Sequence, residues 1–463
     1  MFRSRPIFFV LYLFSCLTIS RAADGPAGKG FLVIAPERFH AALAPYIEHK
    51  QRQLPTFLIS LETALAGSEG SDDPEKLKRF LYSRCRERNA SYVLLVGDAE
   101  VLPVRYMVLD RVTPAAFDYA FYPSDLYYSD LAKADGSFDD WNAQKEGFHG
   151  NYFGEVRGEK NKHDPVNFDA VDYRPDIALG RWPVSNPGQA ALVAAKTIRY
   201  ETGLIENSKA GARRAAFFAV AGWVDSRGAM DSAAISLGKT WEIEKRYYAD
   251  QKRDDKTDLP DFSHLNALLN QGAGLVIHAG HGSDSQWERC FSTADIANLA
   301  NTDRLPILMS VGCSTARFAT LPPYEAYIDS TGNRHKGTDA GETFSEPPPP
   351  PAPYQSGAYN PSGLGKELLR GGENGAVAYI GCNTGSQPCG MTLMEGFARA
   401  VGGKSAAGEP VRLGDCWSLA ISHYYEEEHL ATIVPDTGWY PASIFFQGMK
   451  FMLFGDPTLL VPR

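Results

Sequence analysis

The feature that most constrains how this chain folds is a pair of short apolar runs, each of which leads to a reactive side chain beside glycine. Residues 275–277 lead to His281, and residues 307–311 lead to Cys313. Such runs are typical of strands in a buried parallel sheet, and glycine lets the backbone turn where a strand ends. The two reactive residues lie 32 positions apart, about the length of one right-handed βαβ unit. We therefore expect both at the carboxyl ends of neighbouring parallel strands, where open α/β sheets bind ligands.

A thiol and an imidazole that meet at such an edge are suited to acyl-transfer chemistry. The thiolate attacks a carbonyl carbon, and the imidazole exchanges protons near neutral pH. The alternative interpretation is a core cysteine and a hydrogen-bonded histidine without chemical function, as most isolated examples of these residues are. The glycines beside His281 and Cys313 favour catalysis, because an exposed nucleophile needs a sharp and uncrowded turn.

The sequences around these two residues resemble a known family. The segments GHGSDSQW and LPILMSVGCSTARF are similar to the His and Cys blocks of the gingipain family of cysteine peptidases, and four further segments match in order: YVLLVGDAEVLP, SDLYYSDL, PDIALGRWPV and FGDPTLLVP. The resemblance implies a caspase-like α/β/α sandwich whose two sheet-bearing halves form one catalytic unit. It also implies a peptide or protein substrate, with Cys313 as the nucleophile and His281 as the proton carrier.

The resemblance further implies an orienting acid and an oxyanion hole. It assigns the acid to Asp176, which would accept a hydrogen bond from the imidazole and fix its tautomer. Asp172 is the fallback if the alignment shifts by four positions, Asp284 is a weaker rival, and an ion pair with Arg181 is the structural alternative for Asp176. The N–H groups of Gly282 and of the nucleophilic cysteine would stabilise negative charge on the substrate carbonyl oxygen.

A loop after another buried strand is a candidate for substrate binding. Residues 376–380 form an apolar run, and the same edge argument predicts that Gly381, Asn383 and Thr384 line the substrate pocket. The loop has no acid that would bind a Lys or Arg side chain. The sequence therefore does not predict specificity for basic residues, and it leaves the preferred residue before the cut open.

Residues 130–140 are a candidate for metal binding, because they cluster carboxylates around a glycine. The resemblance implies a structural calcium ion, for which Asp130, Asp135 and Asp139 are the candidate ligands. Their spacing is not that of an EF-hand, and a solvated loop is the alternative interpretation. The chemistry itself requires no cofactor.

The start of the chain predicts export. Residues 1–22 combine Arg3 and Arg5 with an apolar stretch and with small residues before Ala23, as signal peptides do. The apolar stretch is shorter than the roughly 20 residues of a spanning helix, and no later segment is long and apolar enough. A periplasmic, cell-surface or extracellular location follows.

The net charge of the chain is −9, and the sequence contains no basic stripe. This charge distribution argues against nucleic acid as a partner.

Alternating strand and helix patterns predict two halves, residues 23–206 and 207–463, with a doubly wound parallel sheet in the first. Helical spacing covers residues 190–200, closed by Gly203, and residues 229–248. A Pro-rich insertion at about 322–361 predicts a flexible segment with a stiff polyproline stretch. Three interpretations are open: the insertion covers the site, is cut during maturation, or is a surface loop without catalytic consequence. The number of subunits is not predicted.

The functional hypothesis is an exported cysteine endopeptidase that acts through a thioester acyl-enzyme. The alternative is a catalytically silent member of the same fold that serves as a surface binding or scaffold module. A nucleotide-binding, flavodoxin-like protein is disfavoured, because no Gly-rich phosphate loop follows the first strand.

Six cysteines follow the predicted signal peptide. In an exported protein some of them would form disulfide bonds, and Cys382 and Cys389 are close enough in sequence for a small bridged loop.

Overall fold

Strands and helices alternate along the part of the chain that the structure, a computed structural model, describes. The described residues are 29–108, 120–143, 152–154, 167, 169–206, 213–248, 259–360, 362–403, 410–433 and 447–462. The predicted signal peptide and the predicted boundary between the halves lie outside them. Within them, no helix combines the length and apolarity that a bilayer crossing requires.

The first half contains six strands and five helices in its described residues. They are β1 (Gly30–Ala35), α1 (His40–Gln51), β2 (Thr56–Ser60), α2 (Leu61–Ala66), α3 (Asp73–Arg88), β3 (Ala90–Val96), β4 (Tyr106–Val108), β5 (Phe121–Pro123), α4 (Leu126–Ser129), β6 (Ala178–Trp182) and α5 (Pro187–Glu206). Local capping explains several of these bounds. Asp72 caps α3 by accepting a hydrogen bond from the Glu75 N–H, and Asn89 ends the helix in the left-handed conformation.

The second half continues the alternation and adds short hairpins. Its elements are β7 (Arg214–Ala219), α6 (Arg227–Ser236), β8 (Glu242–Tyr247), α7 (Phe262–Gln271), β9 (Leu275–Ala279), β10 (Gln286–Trp287), β11 (Phe291–Ser292), β12 (Ile307–Ser310), β13 (Tyr327–Ile328), β14 (Arg334–His335), α8 (Leu364–Arg370), β15 (Ala378–Cys382), α9 (Gly390–Gly402), α10 (Leu413–Glu427) and β16 (Phe451–Phe454).

Ten of these strands form one sheet in the order β2-β1-β3-β6-β16-β15-β12-β9-β7-β8. All neighbours are parallel except β15 and β16, which are antiparallel. The strands of the first half therefore run opposite to β15, β12, β9, β7 and β8 of the second half. The parallel arrangement predicted for the first half is confirmed for its four strands in this sheet.

Successive residues of a strand enter different hydrophobic cores, so helices cover both faces of the sheet. On β1, Leu32 and Ile34 belong to one core with the apolar side chains of α3, α9 and α10, whereas Phe31 and Val33 belong to the other with those of α1, α5 and α8. A strand that is buried on both faces needs apolar residues at every position, which is why these strands appear as continuous apolar runs.

The strand ends that carry the reactive residues are neighbours, as expected. β9 and β12 pair in parallel, with His278 opposite Ser310, so that His281 and Cys313 each follow three positions later. The connection between the strands differs from the expected α-helix. It consists of the β10–β11 hairpin and a 3-10 helix at Thr293–Asn298, whose capping box is formed by Ser292 and Asp295.

Two predictions of helix extent are wrong. The α5 helix continues through Gly203 to Glu206, because nothing crowds the exposed glycine and the helix can absorb its conformational cost. Residues 229–248 are not one helix, because α6 ends before Gly238, whose φ of +82° favours glycine. The segment then continues as β8, which pairs with β7.

The Pro-rich insertion is held against the first half rather than extended as a free segment. The carbonyl oxygens of Pro322 and Pro353 accept hydrogen bonds from the N–H groups of Phe121 (3.2 Å) and Val104 (2.9 Å). Within the proline run, the Pro350 oxygen accepts a hydrogen bond from the backbone of the β13–β14 hairpin. Proline lacks an N–H but keeps a carbonyl acceptor, so a proline segment can be anchored through its oxygens alone.

Candidate active site

His281 and Cys313 line the same open cleft, of about 470 Å³, at one edge of the sheet. The cleft is formed by the loops that follow the carboxyl ends of four parallel strands, β7, β9, β12 and β15. Its described lining residues are Gly222, Trp223, Val224, Ser226, Ala279, Gly280, His281, Val311, Cys313, Ser386, Gln387, Pro388 and Met391. The structure therefore brings the two predicted residues to one cleft at this edge.

Glycines let the histidine loop lie against the loops that follow β7 and β12. Gly280 has a φ of +121°, and a Cβ there would lie 2.2 Å from the carbonyl oxygen of Val220. A Cβ on Gly282 would lie 3.2 Å from the carbonyl oxygen of Cys313. Ser314 takes a left-handed φ of +57°, so the chain turns sharply just after the cysteine. Side chains at the two glycines would push the loops apart.

The sulfur of Cys313 is held by the loop after β15. The Ser386 N–H donates to the sulfur at 3.3 Å, and the thiol lies 3.7 Å from the Ser386 carbonyl oxygen. The Ser314 N–H also donates to the Thr384 oxygen at 2.7 Å, which fixes the two loops against each other. An N–H that points at the sulfur is a favourable contact for a thiolate.

Cys313 differs from the other cysteines that the structure describes. None of the six forms a disulfide bond, including Cys382 and Cys389, whose spacing suggests a small bridged loop. Five are buried, and only Cys313 is partly exposed. Burial raises the pKa of Cys85 and Cys382 to about 12 and that of Cys389 to about 11. Cys313 is therefore the described thiol that a ligand in the cleft can reach.

Two histidines lie near the end of β9, and their surroundings separate their roles. His278 is fully buried, hydrogen-bonds to Ser310 at 2.8 Å and stacks on Trp287 at 4.6 Å. Burial lowers the pKa of His278 to about 3, so its ring is neutral. His281 is partly exposed, and its ring lies edge-on to that of Trp223 at 6.5 Å. His281 is thus the imidazole that can exchange protons with a ligand in the cleft.

The structure does not bring the predicted acids to His281. The Asp176 carboxylate accepts hydrogen bonds from the N–H groups of Leu131 (2.6 Å) and Ala132 (2.8 Å), and Asp284 lies 3.6 Å from Arg317. Within the described part of the chain, no carboxylate oxygen lies within hydrogen-bond or ion-pair distance of the His281 ring. The assignment of Asp176 as the orienting acid stays a prediction.

Arg181, the alternative partner of Asp176, instead forms a buried two-point ion pair with Asp125, at 2.7 Å for each contact. The charge of Asp176 is therefore not neutralised by Arg181. Burial raises the pKa of Asp176, although the two N–H donors of the 130–140 loop oppose this shift. The contacts of Asp176 thus tie β6 to that loop.

The two predicted oxyanion donors are available at the cleft. Among the residues that the structure describes, no acceptor takes a hydrogen bond from the N–H of Gly282 or of Cys313. Gly282 lies against the Cys313 backbone, as described above. Unused N–H groups beside a nucleophile are the donors that an oxyanion hole needs.

The loop after β15 reaches the cleft, but not through the residues that were expected. Gly381 is buried in β15, and the Asn383 side chain donates to the Pro123 oxygen at 2.6 Å. Thr384 is buried, and its carbonyl oxygen accepts the Ser314 hydrogen bond. Residues 386–388 line the cleft instead. The observed strand β15 ends at Cys382, beyond the end of the apolar run at residues 376–380. The part of the loop that reaches the cleft therefore comes later in the sequence than predicted.

Sequence reasoning missed Trp223 and Met391 as residues of the cleft. Trp223 is 72% exposed and follows the end of β7, so the argument that identified His281 would also have found it. Met391 lies in the first turn of α9, and no local pattern distinguishes it from a core methionine. Only the packing of α9 against the cleft identifies this residue.

Two of the three predicted metal ligands lie together. Oxygens of Asp130, Asp139 and Asp172 lie within 4.8 Å of one another, whereas the Asp135 carboxylate accepts hydrogen bonds from Ser137. Burial raises the pKa of both Asp130 and Asp139, against the attraction of Lys78. Asp130 Oδ1 and both Asp139 oxygens are buried without a hydrogen-bond donor. Two buried carboxylates of this kind, together with the partly exposed Asp172, suit a hard cation such as calcium.

A larger depression of about 950 Å³ lies between the 3-10 helix at Thr293–Asn298 and the end of α8. Thr302, Glu367 and Asn374 are among the residues that line it, and no thiol or imidazole does. The smaller cleft is therefore the candidate active site.

Comparison with known proteins agrees with this architecture. Gingipain R (RgpB), described as an Arg-specific cysteine proteinase, is 17% identical with a TM-score of 0.60, over 95% of this chain and 79% of that one. A complex of RgpB pro- and mature domains from Porphyromonas gingivalis is 17% identical with a TM-score of 0.59, over 94% and 80%. A structure described only as a protease is 15% identical with a TM-score of 0.53, over 93% and 78%. These similarities confirm the predicted caspase-like α/β/α fold.

Sequence comparison gives the family. No curated protein sequence matches the chain significantly. The sequence model described as peptidase family C25 matches residues 25–462, which is nearly the whole chain. The chain therefore belongs to peptidase family C25, the gingipain family of cysteine peptidases.

Proposed function

We propose that this protein is an exported cysteine endopeptidase in which Cys313 is the nucleophile and His281 carries the proton. The observation that supports this most directly is the shared cleft, in which the partly exposed thiol and imidazole face the same space. The five other described cysteines are buried.

The proposed reaction has two steps. His281 takes the proton of the Cys313 thiol, and the sulfur attacks the substrate carbonyl carbon. The carbonyl oxygen that becomes negative accepts hydrogen bonds from the N–H groups of Gly282 and Cys313. His281 then gives a proton to the leaving amine, and a thioester acyl-enzyme remains. In the second step His281 takes a proton from water, which attacks the thioester and releases the acid.

A peptidyl acyloxymethyl ketone tests the nucleophile, because it alkylates a thiol only when the peptide occupies the substrate site. We expect the wild-type protein and Cys389→Ala to be labelled, and Cys313→Ala to remain unlabelled with an unchanged thermal midpoint. Labelling of Cys313→Ala, or no labelling of the wild type at any pH between 5 and 9, would contradict the proposal.

The orienting acid has a separate test. If Asp176 orients His281 during turnover, Asp176→Asn lowers kcat by up to about 10⁴-fold while KM changes little. If Asp176 only binds the 130–140 loop, the same variant loses stability and keeps its kcat. Asp284→Asn is the matched control, because its carboxylate pairs with Arg317.

A catalytically silent binding module is the second candidate. The observation that favours it is the lack of an acid beside His281 among the described residues, since most catalytic imidazoles are oriented by a third group. This candidate predicts binding of peptides without turnover. Mass spectrometry of a mixed peptide library after incubation with the protein separates the two, because only a peptidase generates new termini.

We also propose that Asp130, Asp139 and Asp172 hold a structural calcium ion. The oxygens of Asp130 and Asp139 that are buried without a donor support this proposal. Lys78 is the competing counter-charge, because its charge lowers the pKa of both carboxylates against the effect of burial. The ion would stabilise the 130–140 loop and take no part in the chemistry.

A further inference from the structure

The side chains that line the cleft are mostly apolar or neutral. Trp223, Val224, Val311, Pro388 and Met391 are apolar, and Ser226, Ser386 and Gln387 are polar but neutral. Apart from the reactive residues His281 and Cys313, none of the described lining residues has a titratable side chain. The wall of the cleft therefore offers apolar contact and neutral hydrogen-bonding groups.

From this composition we propose that the cleft selects an uncharged, apolar side chain, such as Leu or Met, in the residue before the scissile bond. Met391 and Trp223 set this preference. The inference rests on the proposed peptidase function and deepens it by naming the substrate class.

The nearest acid along the chain is not free to bind a basic substrate. Asp225 follows Val224 directly, but its carboxylate accepts hydrogen bonds from Nε (2.8 Å) and Nη2 (2.6 Å) of Arg227. A guanidinium or ammonium group that entered the cleft would lose hydration without gaining a counter-charge there, which is unfavourable. The same argument applies to a carboxylate, since Arg227 is already paired.

Trp223 presents an apolar surface that a substrate can cover. Its side chain is 72% exposed, although tryptophan is usually largely buried in a folded protein. It lies beside the His281 ring, at a centroid distance of 6.5 Å. A bound peptide at this position would remove much of the indole from water, which contributes affinity for apolar neighbours.

Met391 is the position at which the preference can be changed. It lies in the first turn of α9, where a carboxylate is favourable to the helix. Met391→Glu therefore adds a negative charge to the cleft without a conflict with the helix. Ile235→Glu is the matched control, because Ile235 is 78% exposed on α6 and is not a lining residue.

The experiment measures kcat/KM on fluorogenic peptides that differ only in the residue before the scissile bond. We expect the wild type to cleave the Leu and Met peptides at least about tenfold faster than the Arg, Lys and Glu peptides. In Met391→Glu the Arg-to-Leu ratio should rise at least about tenfold, and in Ile235→Glu it should stay at the wild-type value. Trp223→Ala should raise KM for the Leu peptide, which provides a second readout if Met391→Glu does not fold.

The outcomes separate this inference from the function on which it rests. A wild-type preference for Arg, Lys or Glu, or an unchanged ratio in folded Met391→Glu, overturns the apolar specificity and leaves the peptidase proposal intact. No turnover of any peptide, together with no acyloxymethyl ketone labelling of Cys313, overturns both.

Discussion

Gly282 is as important to the candidate site as the reactive residues beside it. Its missing side chain lets the histidine loop rest on the cysteine loop, since a Cβ would lie 2.7 Å from Thr315 Cγ2 and 3.2 Å from the Cys313 oxygen. The relative position of sulfur and imidazole therefore depends on one glycine. Small displacements of this kind reduce catalysis strongly, because reacting groups must be held in near-attack geometry.

We expect Gly282→Ala to lower kcat/KM by about 10²-fold and the free energy of unfolding by about 1–3 kcal/mol. Gly203→Ala is the control, because this exposed glycine in α5 has no heavy atom near its missing Cβ. That change should preserve activity and stabilise the helix by up to about 1 kcal/mol. Steady-state kinetics and urea unfolding measure both effects. Full activity of Gly282→Ala would mean that the two loops adjust independently.

At the scale of elements, the loop at residues 130–140 combines buried acids with a hydrogen-bonded connection to β6. The pKa of Asp130 and of Asp139 is raised in the folded protein, chiefly by burial. Folding then binds protons, so without a metal ion the stability falls as the pH rises from about 4 toward these raised values. A bound calcium ion would reverse this loss at neutral pH.

We expect calcium at about 100 times its Kd to raise the free energy of unfolding by about 2.7 kcal/mol at pH 7.5, and to have little effect near pH 4. Asp139→Asn should abolish the response, whereas Asp135→Asn should keep it, because Asp135 is bonded to Ser137 outside the cluster. Thermal unfolding with calcium and with EDTA measures this. Equal thermal midpoints with calcium and with EDTA would identify Lys78, rather than a calcium ion, as the counter-charge of the buried carboxylates.

The β13–β14 hairpin of the insertion contains a titratable clamp. His335 lies between Glu342 (2.8 Å) and Asp329 (3.1 Å) and stacks on Tyr327. Burial alone would lower the pKa of His335, but the hydrogen bonds to Glu342 and Asp329 outweigh it and raise the pKa. The clamp therefore contributes its full stability below about pH 6.5 and loses it as the pH rises through the raised value.

His335→Gln should lower the free energy of unfolding by about 1 kcal/mol at pH 6 and by less at pH 9. The effect at pH 6 is no larger because solvent screens the ion pairs of His335. Trypsin cleavage after Arg334 or Lys336 should be faster in this variant at pH 6 and should approach the wild-type rate at higher pH. A difference that is constant from pH 6 to pH 9 would exclude protonation as the cause.

At the scale of the whole molecule, one buried ion-pair network joins the beginning and the end of the described chain. Lys50 of α1 lies 2.6 Å from both Glu201 of α5 and Asp456 after β16, and all three side chains are fully buried. Burial alone would raise the pKa of Glu201, but Lys50, His49 and Gln53 lower it to about 2. The contribution of Glu201 is therefore present above about pH 4.5 and lost as the pH falls toward 2.

Lys50→Met should lower the free energy of unfolding by about 3–5 kcal/mol, because it leaves two buried carboxylates without a counter-charge. Lys29→Met is the control, since Lys29 is 62% exposed and lies 3.6 Å from Asp415. It should change stability by less than about 0.5 kcal/mol. Urea unfolding at pH 7 compares the two variants, and similar losses in both would show that the buried network has no special role.

The sequence alone determined the features that depend on local chemistry. The apolar runs before His281 and Cys313 identified β9 and β12, because strands buried on both faces require apolar residues in series. Helix α5 followed from the helical spacing of residues 190–200. The same method gave a wrong prediction for residues 229–248. Their apolar spacing fits one helix, but the second part of the segment forms β8, because it pairs with β7.

Only the tertiary structure decided what surrounds the reactive pair. Ser386 lies 73 positions from Cys313 in sequence but donates a hydrogen bond to its sulfur, and Trp223 and Met391 join the cleft from two other elements. It also showed that Asp176 contacts the 130–140 loop. Local sequence sets how each strand and turn forms, whereas contacts between distant segments depend on the order and direction of strands in the sheet. That order is a property of the folded chain, because packing both faces of the sheet selects it.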